Sequence, residues 1–194
     1  AVKQLLAKIK KLTPKQLFNK VVDNKNKTNE FRIYRLNKEQ IPHRQENSHQ
    51  NDINNLSALI KFRPGESWQS RQSFIYDALK RLESGETSYT FCEDKSLIHY
   101  GWLHKNCKES YFTEVSKPYY YPENSAVLYD FYTMPTSRGR KLYQSNIERM
   151  LADVKEDDDV EYIYISVLAD NLPSRHIIEK LGFNYIESIT GKQA

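Results

Sequence analysis

Residues 129–143 read YDFYTMPTSRGRKLY. The first part alternates aromatic with smaller side chains and follows Val127 and Leu128, the pattern of a buried strand. Pro135 stops that strand, because it has no N–H to offer a neighbour. Arg138, Gly139, Arg140 and Lys141 then lead into a segment with apolar residues at Tyr143, Ile147, Met150, Leu151 and Val154, which share one helix face. The stretch is therefore strand, basic glycine-containing turn, helix. The first turn of a helix has N–H groups without intrahelical acceptors and lies at the positive end of the dipole, so it attracts anions. Three cationic side chains at that spot point to a phosphate-bearing ligand. The plainer reading is an ordinary strand-to-helix turn with solvated charges.

Residues 171–183, NLPSRHIIEKLGF, read as a second helix. Asn171 caps it, Pro173 suits its first turn, Ile177, Ile178 and Leu181 form its apolar face, and Gly182 ends it. Between the two stretches, residues 160–168 (VEYIYISVL) are rich in β-branched and aromatic side chains and read as a strand.

TMPTSRGRKLY resembles motif A of the GNAT superfamily of N-acyltransferases, V-x-P-x-x-R-G-x-G-x-G/A, and NLPSRHIIEKLGF resembles its motif B, N-x-x-S/A-x-x-x-x-E-K-x-G-F. The resemblance covers residues 126–189 and extends back to about residue 55, and the order of elements matches the family back to Ser88. It implies an α/β (α+β) fold: a mixed central sheet with flanking helices and a splayed strand pair that receives acetyl-CoA or another acyl-CoA. The implied reaction moves an acetyl group to an amine of a small molecule or amino-sugar. A longer-chain N-acyltransferase and a catalytically degenerate binding module are the alternatives. The resemblance places the pyrophosphate on the N–H groups of Arg138, Gly139, Arg140, Lys141, Leu142 and Tyr143. It places the thioester carbonyl near Thr133 and Met134, and the pantetheine beside Asn171 and Ser174. Three positions depart from the family pattern. Lys141 stands where glycine is usual, Tyr143 where glycine or alanine is usual, and Ile178 where a tyrosine often protonates the leaving thiolate.

Amide formation from an amine also needs a base. Asp130 is the only carboxylate on the motif A strand. His99 is the only titratable residue on its face of a hairpin expected from strands at residues 88–92 and 96–104. Alternation puts His99, Gly101 and Leu103 on one face and Ile98, Tyr100, Trp102 and His104 on the other, so the two histidines do not share a metal. No metal site is expected.

The 194 residues carry a net charge of +4 and only two cysteines, Cys92 and Cys107. The charge suits an anionic cofactor or surface, and scattered basic residues without a recognisable module argue against nucleic acid. Two cysteines give no disulfide framework, which fits a reducing cytoplasm. No run reads as a membrane span or cleaved signal. Residues 1–29 read as a basic amphipathic helical arm and linker, and residues 30–194 as the acyltransferase domain. The arm, residues 1–22, suits an anionic membrane surface, a sister subunit in a homodimer, or the domain's own core. Residues 30–36 read as the first strand and residues 43–55 as a polar loop whose His43 and His49 lie at the surface. A helix is expected over residues 67–82, capped by Ser67, with Trp68, Ile75, Leu79 and Leu82 on one side. Residues 105–124 hold Tyr111, Phe112, Tyr119, Tyr120 and Tyr121, read as an edge strand and loop packed on the sheet, with one or two tyrosines touching substrate.

Overall fold

The computed structural model of the chain describes residues 28–41 and 51–192. The arm at residues 1–22, His43 and His49 lie outside the described residues. In chain order the elements are β1 (Thr28–Asn37), β2 (Asp52–Ile53), α1 (Leu56–Leu59), α2 (Arg71–Glu83), β3 (Thr87–Glu93), β4 (Ser96–Lys105), β5 (Glu109–Phe112), β6 (Lys117–Tyr120), β7 (Ser125–Thr133), α3 (Leu142–Lys155), β8 (Tyr162–Leu168), α4 (Leu172–Lys180) and β9 (Asn184–Lys192). Seven strands form one mixed sheet in the order β2-β3-β4-β7-β8-β1-β9, and β5 and β6 form a separate hairpin. The mixed α/β fold is the one the sequence implies.

The sheet buries both faces. Tyr34, Leu36, Leu103, Leu128 and Ile165 pack on one side against Ile147, Met150 and Val154 of α3 and Ile178 of α4. Lys141, the N-cap of α3, makes no side-chain capping bond. The helix is held by its apolar stripe instead: Ile147, Met150 and Val154 are fully buried, each contributing roughly 1.5–3 kcal/mol. On the other face Tyr100 and Trp102 meet Phe62 and Ala78, while Phe31, Val127 and Tyr164 meet Phe112, Val115 and Tyr121 of the hairpin region.

Three expectations change in detail. Helix α2 starts after Ser70, whose side chain accepts from the Ser73 N–H, rather than after Ser67. Its inner face is therefore Phe74, Ala78 and Leu82, and Trp68 and Leu79 are exposed. Ile98 packs with Phe91 and Leu142 rather than with Tyr100 and Trp102. The β3–β4 register shifts there, since Phe91 pairs with His99 but Cys92 with Leu97, and an extra residue turns the strand over. The strand expected at residues 30–36 is present, and it lies inside the sheet, antiparallel to both β8 and β9.

Candidate functional site

Parallel pairing of β7 with β8 runs only from Ser125–Tyr162 to Leu128–Ile165. Beyond it the strands part. The cause sits in β7: Tyr100 pairs with Tyr132 but Trp102 with Tyr129, so β7 carries one more residue than β4 across this interval. Asp130 takes a left-handed conformation, φ 48°, at this bulge. A bulge bends its strand and ends regular pairing. Phe131 leaves the bulge lying over Gly101 and meets the Tyr143 ring edge-on, 5.0 Å between centroids.

A cleft of about 1260 Å³ passes through this opening, bordered at one end by residues 138–144 and at the other by the hairpin. At the first end, the Ser145 N–H is the earliest in α3 to find an intrahelical acceptor, the Lys141 carbonyl at 2.9 Å. The N–H groups before it make no backbone hydrogen bond among the described residues. Gly139 has φ 80° and Lys141 has φ 60°. Position 141 is thus left-handed, a conformation that glycine adopts freely and lysine only at a cost of roughly 1–2 kcal/mol. Arg138 donates to the Thr133 carbonyl at 3.2 Å and to Glu66 at 3.0 Å. Arg140 grips Glu93 with both nitrogens, at 2.8 and 2.7 Å, which holds the Glu93 carboxyl below its usual range. Both arginines thus have carboxylate partners, whereas the Lys141 ammonium has none among the described residues. Lys141→Gly is expected to stabilise the fold by about 1 kcal/mol, read by urea unfolding. It should also weaken coenzyme A binding by about tenfold and flatten its salt dependence, read by calorimetry. Tighter binding in that variant would show that lysine obstructs the turn.

Asn171 caps α4 by accepting from the Ser174 N–H at 3.3 Å, and both residues border the cleft. Ser174 also hydrogen-bonds the Tyr143 hydroxyl, while burial pushes that phenol's pKa up and keeps it protonated. Ile178 is fully buried in the core, and its aliphatic side chain has no ionisable proton to give a thiolate. Met134 donates its N–H to the Ile98 carbonyl of β4 at 2.9 Å and does not border the cleft. Successive strand N–H groups point to opposite edges, so that of Thr133 is directed toward the gap left by β8.

The two residues read as candidate bases lie in different settings. His99 is fully buried and does not border the cleft. Its Nδ1 is 2.8 Å from the Thr133 hydroxyl, and its ring lies near those of Phe91 and Phe131. Burial lowers its pKa from 6.5 to about 3, so the folded chain keeps it neutral. Between those two values the unfolded chain takes a proton here that the folded chain refuses, so stability falls as pH drops through this window. The urea midpoint should decline from pH 7 to pH 5, and the decline should be shallower in His99→Gln. Equal declines would place the proton uptake elsewhere. Asp130 borders the cleft, but its carboxylate is engaged by Arg81. The guanidinium of Arg81 also sits over Trp102 and Tyr129 at 5.1 and 5.0 Å.

The hairpin end has polar groups that the sequence did not single out. The Tyr129 hydroxyl donates to Glu86, and His104 Nδ1 lies 3.8 Å from Glu86, whose side chain is only 11% exposed. Glu86 follows a loop glycine and carries no motif, so only the folded arrangement reveals it. The hairpin region closes this end of the cleft with Phe112 and two tyrosines, Tyr111 and Tyr121.

A mixed sheet that opens between two parallel strands, with two helix N-termini at its mouth, defines a splayed-sheet α/β class. The sequence pattern of the acetyltransferase (GNAT) family matches residues 53–183, and the chain belongs to that family. Among solved structures, a GNAT-family acetyltransferase from Colwellia psychrerythraea aligns over 92% of this chain and 62% of its own, at 13% identity and a TM-score of 0.58. This chain thus spans less than two thirds of that relative's length. The aminoglycoside 6′-N-acetyltransferase of Acinetobacter haemolyticus aligns over 72% of this chain and 94% of its own, at 15% identity and a TM-score of 0.52. An aminoglycoside N-acetyltransferase in complex with CoA aligns over 71% and 93%, at 16% identity and a TM-score of 0.50. At these identities the likeness is one of fold. No curated protein sequence matches the chain significantly. No helix among the described residues is long and apolar enough to cross a membrane.

Proposed function

We propose that the chain is an N-acetyltransferase that moves an acetyl group from acetyl-CoA to an amine of a small molecule or amino-sugar. The observation that carries this reading is the cleft through the opened strands, with unpaired helix N–H groups at one end and a separate chamber at the other. An anionic diphosphate fits the first end: the N–H groups of residues 139–144 have no backbone acceptor among the described residues, and nothing stands within 4 Å of a Cβ at Gly139. Those N–H groups and Lys141 would hold the pyrophosphate, Asn171 and Ser174 would flank the pantetheine, and Thr133 would direct its N–H at the thioester carbonyl. Bound acetyl-CoA would supply an activated acyl group. The fold neighbours that act on aminoglycosides add weight to an amino-sugar acceptor.

The hairpin chamber favours a second reading, transfer of a longer acyl chain. Phe31, Phe112, Tyr121, Val127 and Leu168 give it apolar walls. Calorimetry with coenzyme A, followed by a thiol-release assay with acetyl- to octanoyl-CoA against a panel of amines and amino-sugars, separates the cases. Acetyl preference supports the first reading and longer-chain preference the second. Binding without turnover on any amine would make the chain a binding module, and no binding would remove the cofactor site.

A further inference from the structure

The cleft connects the two faces of the sheet. Helices α3 and α4 lie on one face, with His176 bordering the cleft from α4. The hairpin, Trp102 and Tyr129 lie on the other face, where an acceptor would meet a thioester presented through the gap. On that side the cleft is bordered by Asp130, Cys107, Glu114 and His104 among groups able to take a proton. Asp130 is engaged by Arg81. The Cys107 thiol is buried and points to the Glu109 carbonyl at 3.4 Å. Glu114 is at the hairpin turn, beyond β5. His104 differs from these. It stands on β4 opposite Val127 of β7, one pair away from where β7 and β8 part. Its Nδ1 faces Glu86 at 3.8 Å, and Glu86 is fixed from β7 by the Tyr129 hydroxyl. The charged groups packed around this pair are Glu86 itself, Arg81 from α2 and Asp130 from β7, and the last two satisfy each other.

We propose that His104 is the general base that takes a proton from the acceptor amine, and that Glu86 is the positioning residue that holds its ring. This rests on the acyl-transfer reading above. At 3.8 Å the Glu86 carboxylate is in ion-pair reach of Nδ1 without being hydrogen-bonded to it, and its negative charge favours an N–H over a lone pair on Nδ1, which leaves Nε2 as the acceptor. His104 Nε2 takes one proton from the ammonium, and the freed nitrogen pair forms the C–N bond to the thioester carbonyl carbon. The C–S bond breaks with its electrons on sulfur, the second amine proton ends on that sulfur, and His104 returns its proton to solvent. The products are one amide and one thiol.

Three measurements test the assignment. In the unloaded protein, nitrogen NMR should show His104 as the Nδ1–H tautomer, and Glu86→Gln should mix the two tautomers. A dominant Nε2–H tautomer in the unsubstituted chain would overturn the proposal. With acetyl-CoA and the amine of the panel that turns over fastest, His104→Gln should lower kcat by about 10²–10⁴-fold while coenzyme A affinity stays unchanged. Added imidazole should restore part of the rate to His104→Gly. Unchanged turnover in His104→Gln with intact coenzyme A binding would refute the base and leave the acetyltransferase reading standing. Failure of the unsubstituted chain to turn over any amine removes both.

Discussion

Gly139→Val is expected to lower coenzyme A affinity by about a hundredfold or more. Gly139 has φ 80°, a conformation in which a β-branched residue is an outlier. The space around it is open, so a Cβ meets no atom within 4 Å and the strain of the substitution lies in the backbone conformation alone. The effect comes through the backbone. Valine either holds the turn at a cost of roughly 1–2 kcal/mol or lets it relax into an ordinary conformation that turns the adjoining N–H groups away. Losing two charge-assisted hydrogen bonds at about 1.5–3 kcal/mol each accounts for the expected factor. Calorimetry reads the affinity, and urea unfolding should show a much smaller change. An affinity equal to that of the unsubstituted chain would put the phosphate somewhere else.

Gly191→Val is expected to lift the hairpin from the sheet. Here a side chain has no room. An added Cβ on Gly191 would lie 2.1 Å from the Val115 carbonyl oxygen and 2.9 Å from its carbonyl and α carbons. These are backbone atoms and cannot rotate aside, so the turn between β5 and β6 or the end of β9 must shift. Overpacking of this kind costs about 1–3 kcal/mol. The hairpin should yield first, because β9 pairs with β1 along nearly its whole length whereas the hairpin strands, among the described residues, pair only with each other. Amide hydrogen exchange should quicken at residues 109–120 and stay slow in β9. Quickening in β9 alone would show that the hairpin is the firmer of the two. Since Phe112 and Tyr121 wall one end of the cleft, any preference for longer acyl chains should fade in the same variant.

The parts of this fold that were legible in the sequence are those with local causes. The α3 stripe at Ile147, Met150, Leu151 and Val154, the Asn171 cap and the Gly139 turn each depend on residues within a few positions of one another. What escaped depends on distant neighbours. Arg138 and Arg140 read as cations free for a phosphate, but Glu66 and Glu93 approach them from far along the chain. Ser67 and Ser70 are both able to cap a helix, and the choice falls to Ser70 because it turns Phe74 and Ala78 toward Phe62 and Trp102. His99 and His104 were correctly set on opposite faces of β4. Which face a ligand could reach was decided by the gap between β7 and β8, and alternation along one strand has no bearing on that. Lys141 was read for its ammonium, while its φ of 60° shows that the position first constrains the backbone.

The place of β1 bears on how the chain is made. Among the described strands of the sheet, synthesis delivers β1 first, yet its two partners, β8 and β9, come last. Phe31, Ile33, Tyr34 and Leu36, all buried in the finished molecule, must therefore pass through translation without a sheet to bury them. Until β8 and β9 leave the ribosome, β1 is an apolar strand with both edges open, a template for pairing with another nascent chain. And β9, held to the sheet through β1 alone, has nowhere to dock unless the oldest strand has stayed free to receive it.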